Sequence, residues 1–497
     1  MVALFSVFMV LLFLRLFVWR RGALVAIDQY FWTLYRDVRK RTRGEMEMPQ
    51  YLSVAKLWTV PLFGRCLALL PDSFFANSNL LMLMLSFVRC GLILLWGSLF
   101  VGDISFGLTL CCFIIYLSSP ILVIHDNQLN ARIGGAFLFD FLLAAGFSYS
   151  VSGSVSLLIV MVGCVCVLCF LHKLTLQLAL VGSLLFACCG SFSWLATILL
   201  GGAFAFLLGY RKYAFTHYDI SAYWFRNRAF LSTHQIKDSP IYGQNLSMRE
   251  GHKHRVFQLA TLLGMCPWAV ALVILQIPYW SVVCAGILFV ALLITFVPMF
   301  KCWGHGRNYT YFLIAPVIYG IISTDTIFDV PFLFPLCFGA LLVFLLSIHK
   351  YIKWSTDEVV SEVAGCDSVW NVLAESPLDR VCCIPFSLTD QAVFRTGKSC
   401  FGMTHGCGVR WMEPYFPVFR QPLERAIHEW NLGGVLVQKS YWPDFRKQVD
   451  QSLFEAVLEN DDYLLLKVSG WLPGTRIPIW ARSAYPALKD QLPEDEV

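Results

Sequence analysis

SVSLLIVMVGCVCVLCFLHKLTLQLALVGSLLFACCGSFSWLATILLGGAFAFLLG, residues 154–209, carries Lys173 as its only formally charged side chain. A helix needs about 20 apolar residues to cross the roughly 30 Å hydrocarbon layer of a bilayer. The stretch therefore reads as three consecutive spans, 154–171, 174–190 and 193–209. Outward from it, comparable runs occur at 2–18, 79–100, 104–123 and 133–149, then at 256–276, 279–299, 309–324 and 330–349. The whole chain is 57% hydrophobic and 14% charged, against about 25% charged in soluble domains. The expected class is an α-helical polytopic membrane protein with about eleven transmembrane helices. The short alternating segments of a β-barrel are absent. Residues 2–18 lack a basic leader and a small-residue cleavage site, so they read as the first span rather than a signal peptide.

Four polar segments interrupt these runs, at 19–78, 124–132, 210–255 and 300–308, and residues 351–497 have ordinary globular composition. The expected division is a membrane domain, 1–350, followed by a small C-terminal α/β soluble domain, 351–497. An odd number of spans puts all four polar segments and the tail on one face. The turns of the opposite face hold Asp103, Asp325 and Asp329 but no Lys or Arg. Such asymmetry suits a one-sided active site or docking platform, whereas a transporter needs access from both sides. Within the first loop, 28–43 and 54–70 read as two surface helices, the first with aromatics on one side and basic residues on the other. Many of the 18 cysteines lie in apolar runs, where they act as small hydrophobes. No nucleic acid partner is expected.

Several polar groups are candidates for chemistry. Asp28 opens the first surface helix, where a carboxylate either acts as a general base or simply favours a helix N-terminus. His125, Asp126, Asn127 and Gln128, with Asn130 and Arg132, form a turn dense enough to hold a sugar or a divalent cation. His217, Arg249, Lys253 and Arg255 lie in the 210–255 segment, as interfacial anchors or phosphate ligands. His305, Arg307 and Tyr309 introduce the tenth run; Arg presents a planar fork to phosphate, and flanking glycines would let backbone approach a ligand. Arg89 and Asp140 fall at similar depth in two spans. Lone charges in lipid are costly, so a structural pair is expected.

Together these features resemble the GT-C superfamily, membrane glycosyltransferases that use polyprenyl-phosphate-linked sugars. The resemblance rests on DQYFW (28–32), RTRGEMEMPQYL (41–52), WTVPLFGRCLALLP (58–71) and FKCWGHGRNYTYFLIAP (300–316). In the tail, RVCCIPF, FRTGKSCFGMTHGCG, MEPYFPV and NLGGVLVQKSYW resemble the strands and helices of GT-C soluble domains. It implies an inverting transfer from a polyprenyl-phosphate sugar to a hydroxyl of a glycan, lipid or protein. Asp28 would be the base, with Asp126 matching a second acidic position. Arg307, Arg249, Lys253 and Arg255 would hold the donor phosphate. Trp32, His125, Gln128, Arg132, His217, His305 and Tyr309 would contact sugar or acceptor. The first loop lacks the paired acidic motif of oligosaccharyltransferase members, so no metal ligand is assigned, and a divalent cation is the only cofactor in view.

The resemblance implies a catalytic face and C-terminal domain outside the cytoplasm. The positive-inside rule points the other way, because residues 19–43, 211–255 and 301–307 are basic and the opposite turns are not. Two other functional classes fit the same layout. A membrane acyltransferase would use His125 or His217, and a lipid or glycan carrier would need no base at all.

Overall fold

The computed structural model describes residues 2–20, 27–42, 46–53, 59–75, 78–101, 104–126, 129–228, 251–277, 279–324, 338–339, 341–342, 344–345, 368–402, 409–417 and 419–470. Most of the expected span 330–349, and the turns at Asp103, Asp325 and Asp329, lie outside these residues. The described chain is mostly helical, with a small sheet near its C-terminal end. It divides into two units. The first comprises Met1–Val25, Val60–Ala214 and Arg249–Thr356; the second comprises Ala26–Thr59, Phe215–Met248 and Asp357–Val497.

The first unit is a helix bundle. Its helices are α1 (Val2–Arg20), α3 (Leu62–Leu69), α4 (Ser78–Val101), α5 (Phe106–Ser118), α6 (Pro120–His125), α7 (Arg132–Ser152), α8 (Val155–Leu171), α9 (Lys173–Cys188) and α10 (Phe192–Ala205). They are followed by α12 (Gly251–Gly264), α13 (Pro267–Ile274), α14 (Trp280–Phe296), α15 (Gly306–Tyr309) and α16 (Ile314–Ile322). Three stretches are long and apolar enough to cross a membrane, Leu80–Leu99, Arg132–Ser152 and Phe192–Arg226. Shorter apolar helices lie at Phe5–Leu16, Phe106–Ser118, Val155–Leu171, Lys173–Cys188 and Trp280–Phe296. Leu95, Leu99, Ile159, Leu199 and Phe204 point outward. Water would penalise that surface, and lipid tolerates it.

Two expected spans are broken by proline. Ser119–Pro120 separates α5 from α6, and Cys266–Pro267 separates α12 from α13. Proline has no N–H to donate and its ring clashes with the preceding turn, so a new helix starts there. The helix α16 is apolar on every face and wholly buried, and it packs against α4, α5, α7, α13 and α14. A helix without a polar stripe belongs in the interior. The pairing of α8 with α10 needs Gly201, whose Cβ would come within 2.8 Å of the Val162 carbonyl oxygen.

The second unit is built on a five-stranded sheet, with β1 (Arg380–Ile384), β2 (Ser399–Phe401), β3 (Gly434–Gln438), β4 (Phe454–Glu459) and β5 (Tyr463–Val468) in the order β2-β1-β3-β5-β4. The β1–β2 and β1–β3 pairs are parallel; β3–β5 and β4–β5 are antiparallel. Parallel neighbours need a crossover, and the helix Thr389–Thr396 supplies it between β1 and β2. Residues of the first loop extend the sheet beyond β2. Cys400 N donates to Gln50 O at 2.7 Å, and Leu52 N donates to Cys400 O at 3.0 Å.

Two segments assigned by sequence to loops of the membrane domain belong to this unit instead. The aromatic face of α2 (Ile27–Arg41), expected on a membrane surface, is buried at Tyr30, Phe31, Trp32 and Tyr35. It packs on the helix Thr389–Thr396, with the Tyr30 and Phe394 rings 5.2 Å apart. Amphipathicity specifies that a face is covered, not what covers it. Of the expected second surface helix, residues 54–58 lie outside the described set; Leu62–Leu69 forms α3 in the first unit. Similarly, α11 (Arg211–Arg226) turns Ile220 and Tyr223 into the core of the sheet unit. The Tyr223 hydroxyl donates to Phe416 O at 2.9 Å. Arg226 grips Glu413 through Nε and Nη2 at 2.9 and 2.6 Å, which holds the Glu413 carboxyl below its usual pKa.

Tyr223→Ala removes a buried ring and its hydrogen bond, at a cost of roughly 3–5 kcal/mol. Pulse proteolysis in urea should show the second unit opening at lower denaturant; an unchanged midpoint would contradict the packing of α11 described above.

Candidate functional site

The first unit holds a network of charged and polar groups almost sealed from solvent. Its centre is Asp126, fully buried just past the end of α6. Tyr311 Oη donates to Asp126 Oδ1 at 2.9 Å, Ser86 Oγ donates to Oδ2, and Arg15 Nη2 lies 3.5 Å from Oδ2. Ser86 also meets Tyr116 Oη at 3.1 Å. Three segments far apart in sequence thus converge on one carboxylate, as burial demands of a charge.

A second carboxylate, Asp140, is matched by Arg89. Arg89 Nε and Nη2 reach its two oxygens at 2.7 and 3.1 Å, and both residues are fully buried. This is the pair expected from equal depth. The same guanidinium lies 4.5 Å from the centre of the Tyr311 ring and donates to Tyr311 O at 3.4 Å. Arg132 lies 5.9 Å from that ring, and its Nη1 donates to His125 Nδ1. The His125 ring stands edge-on to Tyr311 at 5.8 Å. Tyr311 is therefore the hub around which Arg89, Arg132, His125 and Asp126 are arranged.

Arg307 adds a fourth guanidinium. Burial first, and the charge of Arg132 second, lower its pKa. Among the described residues, four arginines, Arg15, Arg89, Arg132 and Arg307, thus share this region with two carboxylates, Asp126 and Asp140. Among the described residues, Arg307 Nε and Arg89 Nη1 are buried without a hydrogen-bond partner. Buried guanidinium donors left over are what an anion would complete.

The string around Arg307 has a local explanation. Gly304 adopts φ 118°, a turn that L side chains resist. His305 caps α15 by accepting from Arg307 N at 3.2 Å. Gly306 presses α15 against α14, where any Cβ would overlap Ala291 O and Thr295 Oγ1. That glycine, expected to admit a ligand to the backbone, admits a neighbouring helix. Tyr309 Oη donates to Gln177 Oε1 at 2.8 Å and contacts Trp303 O at 3.2 Å. The tyrosine thereby anchors the segment that presents Arg307.

Of the residues nominated from sequence, Asp126, His125, Arg132 and Arg307 come together here. Asp28 and Trp32 lie on α2, and His217 on α11, in the second unit; Trp32 is buried against Phe31 and Tyr35. The side chains of Asp28 and Lys253, and all of Gln128 and Arg249, lie outside the described residues. Arg255 is exposed on α12. Among the described residues no three His, Cys, Asp or Glu side chains group around a metal-sized position. Sequence reasoning passed over Arg15, Ser86, Tyr116 and Tyr311. Arg15 was detectable, as a lone charge in the apolar run 2–18; the other three are common residues in helices and carry no signal of their own.

Asp140→Asn would leave the Arg89 guanidinium buried without its counter-charge, at a cost of about 3–5 kcal/mol. Replacing both partners, as Arg89→Met with Asp140→Leu, should recover much of that loss. Thermal unfolding in detergent separates the outcomes, and equal stability of the single and double variants would refute the pairing. The charge arrangement must carry any functional reading by itself, because neither a family model nor a curated protein matches the chain.

Proposed function

We propose that this chain is a multi-pass membrane glycosyltransferase that moves a sugar from a polyprenyl-phosphate donor to a hydroxyl acceptor. The observation that supports this reading is the cluster of guanidiniums near Tyr311 and Arg132, in which, among the described residues, Arg307 Nε and Arg89 Nη1 are buried without a hydrogen-bond partner. In the proposed reaction the acceptor oxygen attacks the anomeric carbon while the bond from that carbon to the phosphate oxygen breaks. The leaving polyprenyl phosphate keeps the electron pair, and the sugar inverts. Arg307 and Arg132 neutralise the charge that grows on the phosphate, the kind of preorganised electrostatic help that dominates many transfers. The acceptor proton passes to a carboxylate, a role assigned to Asp28 by the resemblance to GT-C enzymes alone. Asp126 is already engaged by Arg15, Ser86 and Tyr311, so its part is to hold the arginine cluster in place. The about eleven spans and an extracytoplasmic C-terminal unit belong to the same proposal.

The acyl-transfer alternative asks His125 to act as a base. Its Nδ1 accepts from Arg132, so that nitrogen is already occupied.

Purified chain is to be photolysed with a benzophenone-bearing polyprenyl phosphate. Capture should fall sharply for Arg307→Ala and Arg132→Ala and persist for Asp28→Asn. In membranes supplied with polyprenyl-phosphate sugars, Arg307→Ala should lower transfer by about 10²–10³-fold, and Asp28→Asn should abolish it. Full transfer by Asp28→Asn would remove Asp28 as the base, and no transfer by the unsubstituted chain would favour a carrier and end the enzymatic reading. A reporter fused to the C-terminus should be active outside the cytoplasm; activity inside would overturn the proposed sidedness.

A further inference from the structure

The face of α11 opposite its buried side carries an aromatic stripe. Phe215, Tyr218 and Phe225 are 57%, 70% and 40% exposed. At about 100° per residue these three, with Arg211, fall within an arc of about 80°. Ile220 and Tyr223, which enter the sheet core, lie on the far side of the helix. The stripe is bounded by cations. Arg211 and Lys212 are exposed at its start, and at its end the Arg228 guanidinium sits 4.6 Å from the centre of the Phe225 ring. A soluble domain seldom leaves three large rings in a row facing water.

We propose that this stripe docks on the membrane interface, with the rings in the headgroup layer and the arginines on lipid phosphates. Three observations select a lipid surface over a protein partner. Aromatic rings with flanking basic residues are the composition of membrane–water boundaries. The cations complement anionic headgroups. Phe215 also follows Gly209, the end of the expected span, by six residues, and six residues reach at most about 20 Å. The stripe is therefore tethered close to the headgroup layer. This inference rests on the reading that the apolar helices cross a bilayer, and it extends that reading by giving the sheet unit a lipid contact of its own.

The test uses the full chain in nanodiscs of phosphatidylcholine and phosphatidylglycerol, with benzoylphenylalanine at one position at a time. Tyr218→benzoylphenylalanine probes the stripe. Leu95→benzoylphenylalanine probes an outward position on α4, and Val457→benzoylphenylalanine an exposed position on β4. After photolysis, mass spectrometry should find phospholipid adducts at positions 95 and 218 and none at 457. Adducts at 95 with none at 218, or cross-links from 218 to a second copy of the chain, would overturn the docking proposal and leave the membrane reading standing. Absence of lipid at 95 would overturn both.

Discussion

A carboxylate cut off from water must find its partners where it sits, and Asp126 finds them in three separate parts of the chain. Arg15 comes from α1, Ser86 from α4 and Tyr311 from the turn preceding α16. In a low-dielectric interior an unmatched charge is far more costly than an unmatched apolar contact. The positions of these helices are thus tied to one another through a single side chain. The Arg89–Asp140 pair adds a second tie between α4 and α7, and its guanidinium packs 4.5 Å from the centre of the Tyr311 ring.

The two ties leave an asymmetry that apolar packing would not. Once Arg15 meets Asp126 and Arg89 meets Asp140, Arg307 Nε and Arg89 Nη1 remain, among the described residues, buried without a hydrogen-bond partner. The segments of Arg132 and Arg307 are held by unrelated devices. Arg132 opens α7 with its backbone N–H bonded to Asn130 Oδ1 at 2.8 Å. Arg307 is presented by a turn at Gly304, a cap at His305 and an anchor at Tyr309. Repulsion between neighbouring guanidiniums opposes folding, and an anion between them would remove it. A planar guanidinium fork meets two oxygens of such an anion at once.

The two units differ in how the sequence encodes them. In the bundle, long apolar runs announce helices, and each helix lies near its predicted place. The exceptions, at Pro120 and Pro267, are local and follow from ring sterics. In the sheet unit the chain is gathered from three stretches. The aromatic face of α2 could be recognised as needing cover, yet its partner Phe394, like the Phe416 that meets Tyr223 of α11, lies far along the chain. No local pattern carries that pairing.

Sequence alone determined the helical class, the concentration of polar segments between apolar runs, and the match of Arg89 with Asp140. Each follows from a helix rise of about 1.5 Å per residue and from the cost of charge in an apolar medium. Tertiary structure alone decided that Asp126 is locked rather than available, that Tyr311 organises the arginines, and that α2 and α11 serve the sheet. The physical reason is that hydropathy reports how much an environment a residue must avoid, whereas the identity of its neighbours depends on contacts between distant segments of the folded chain.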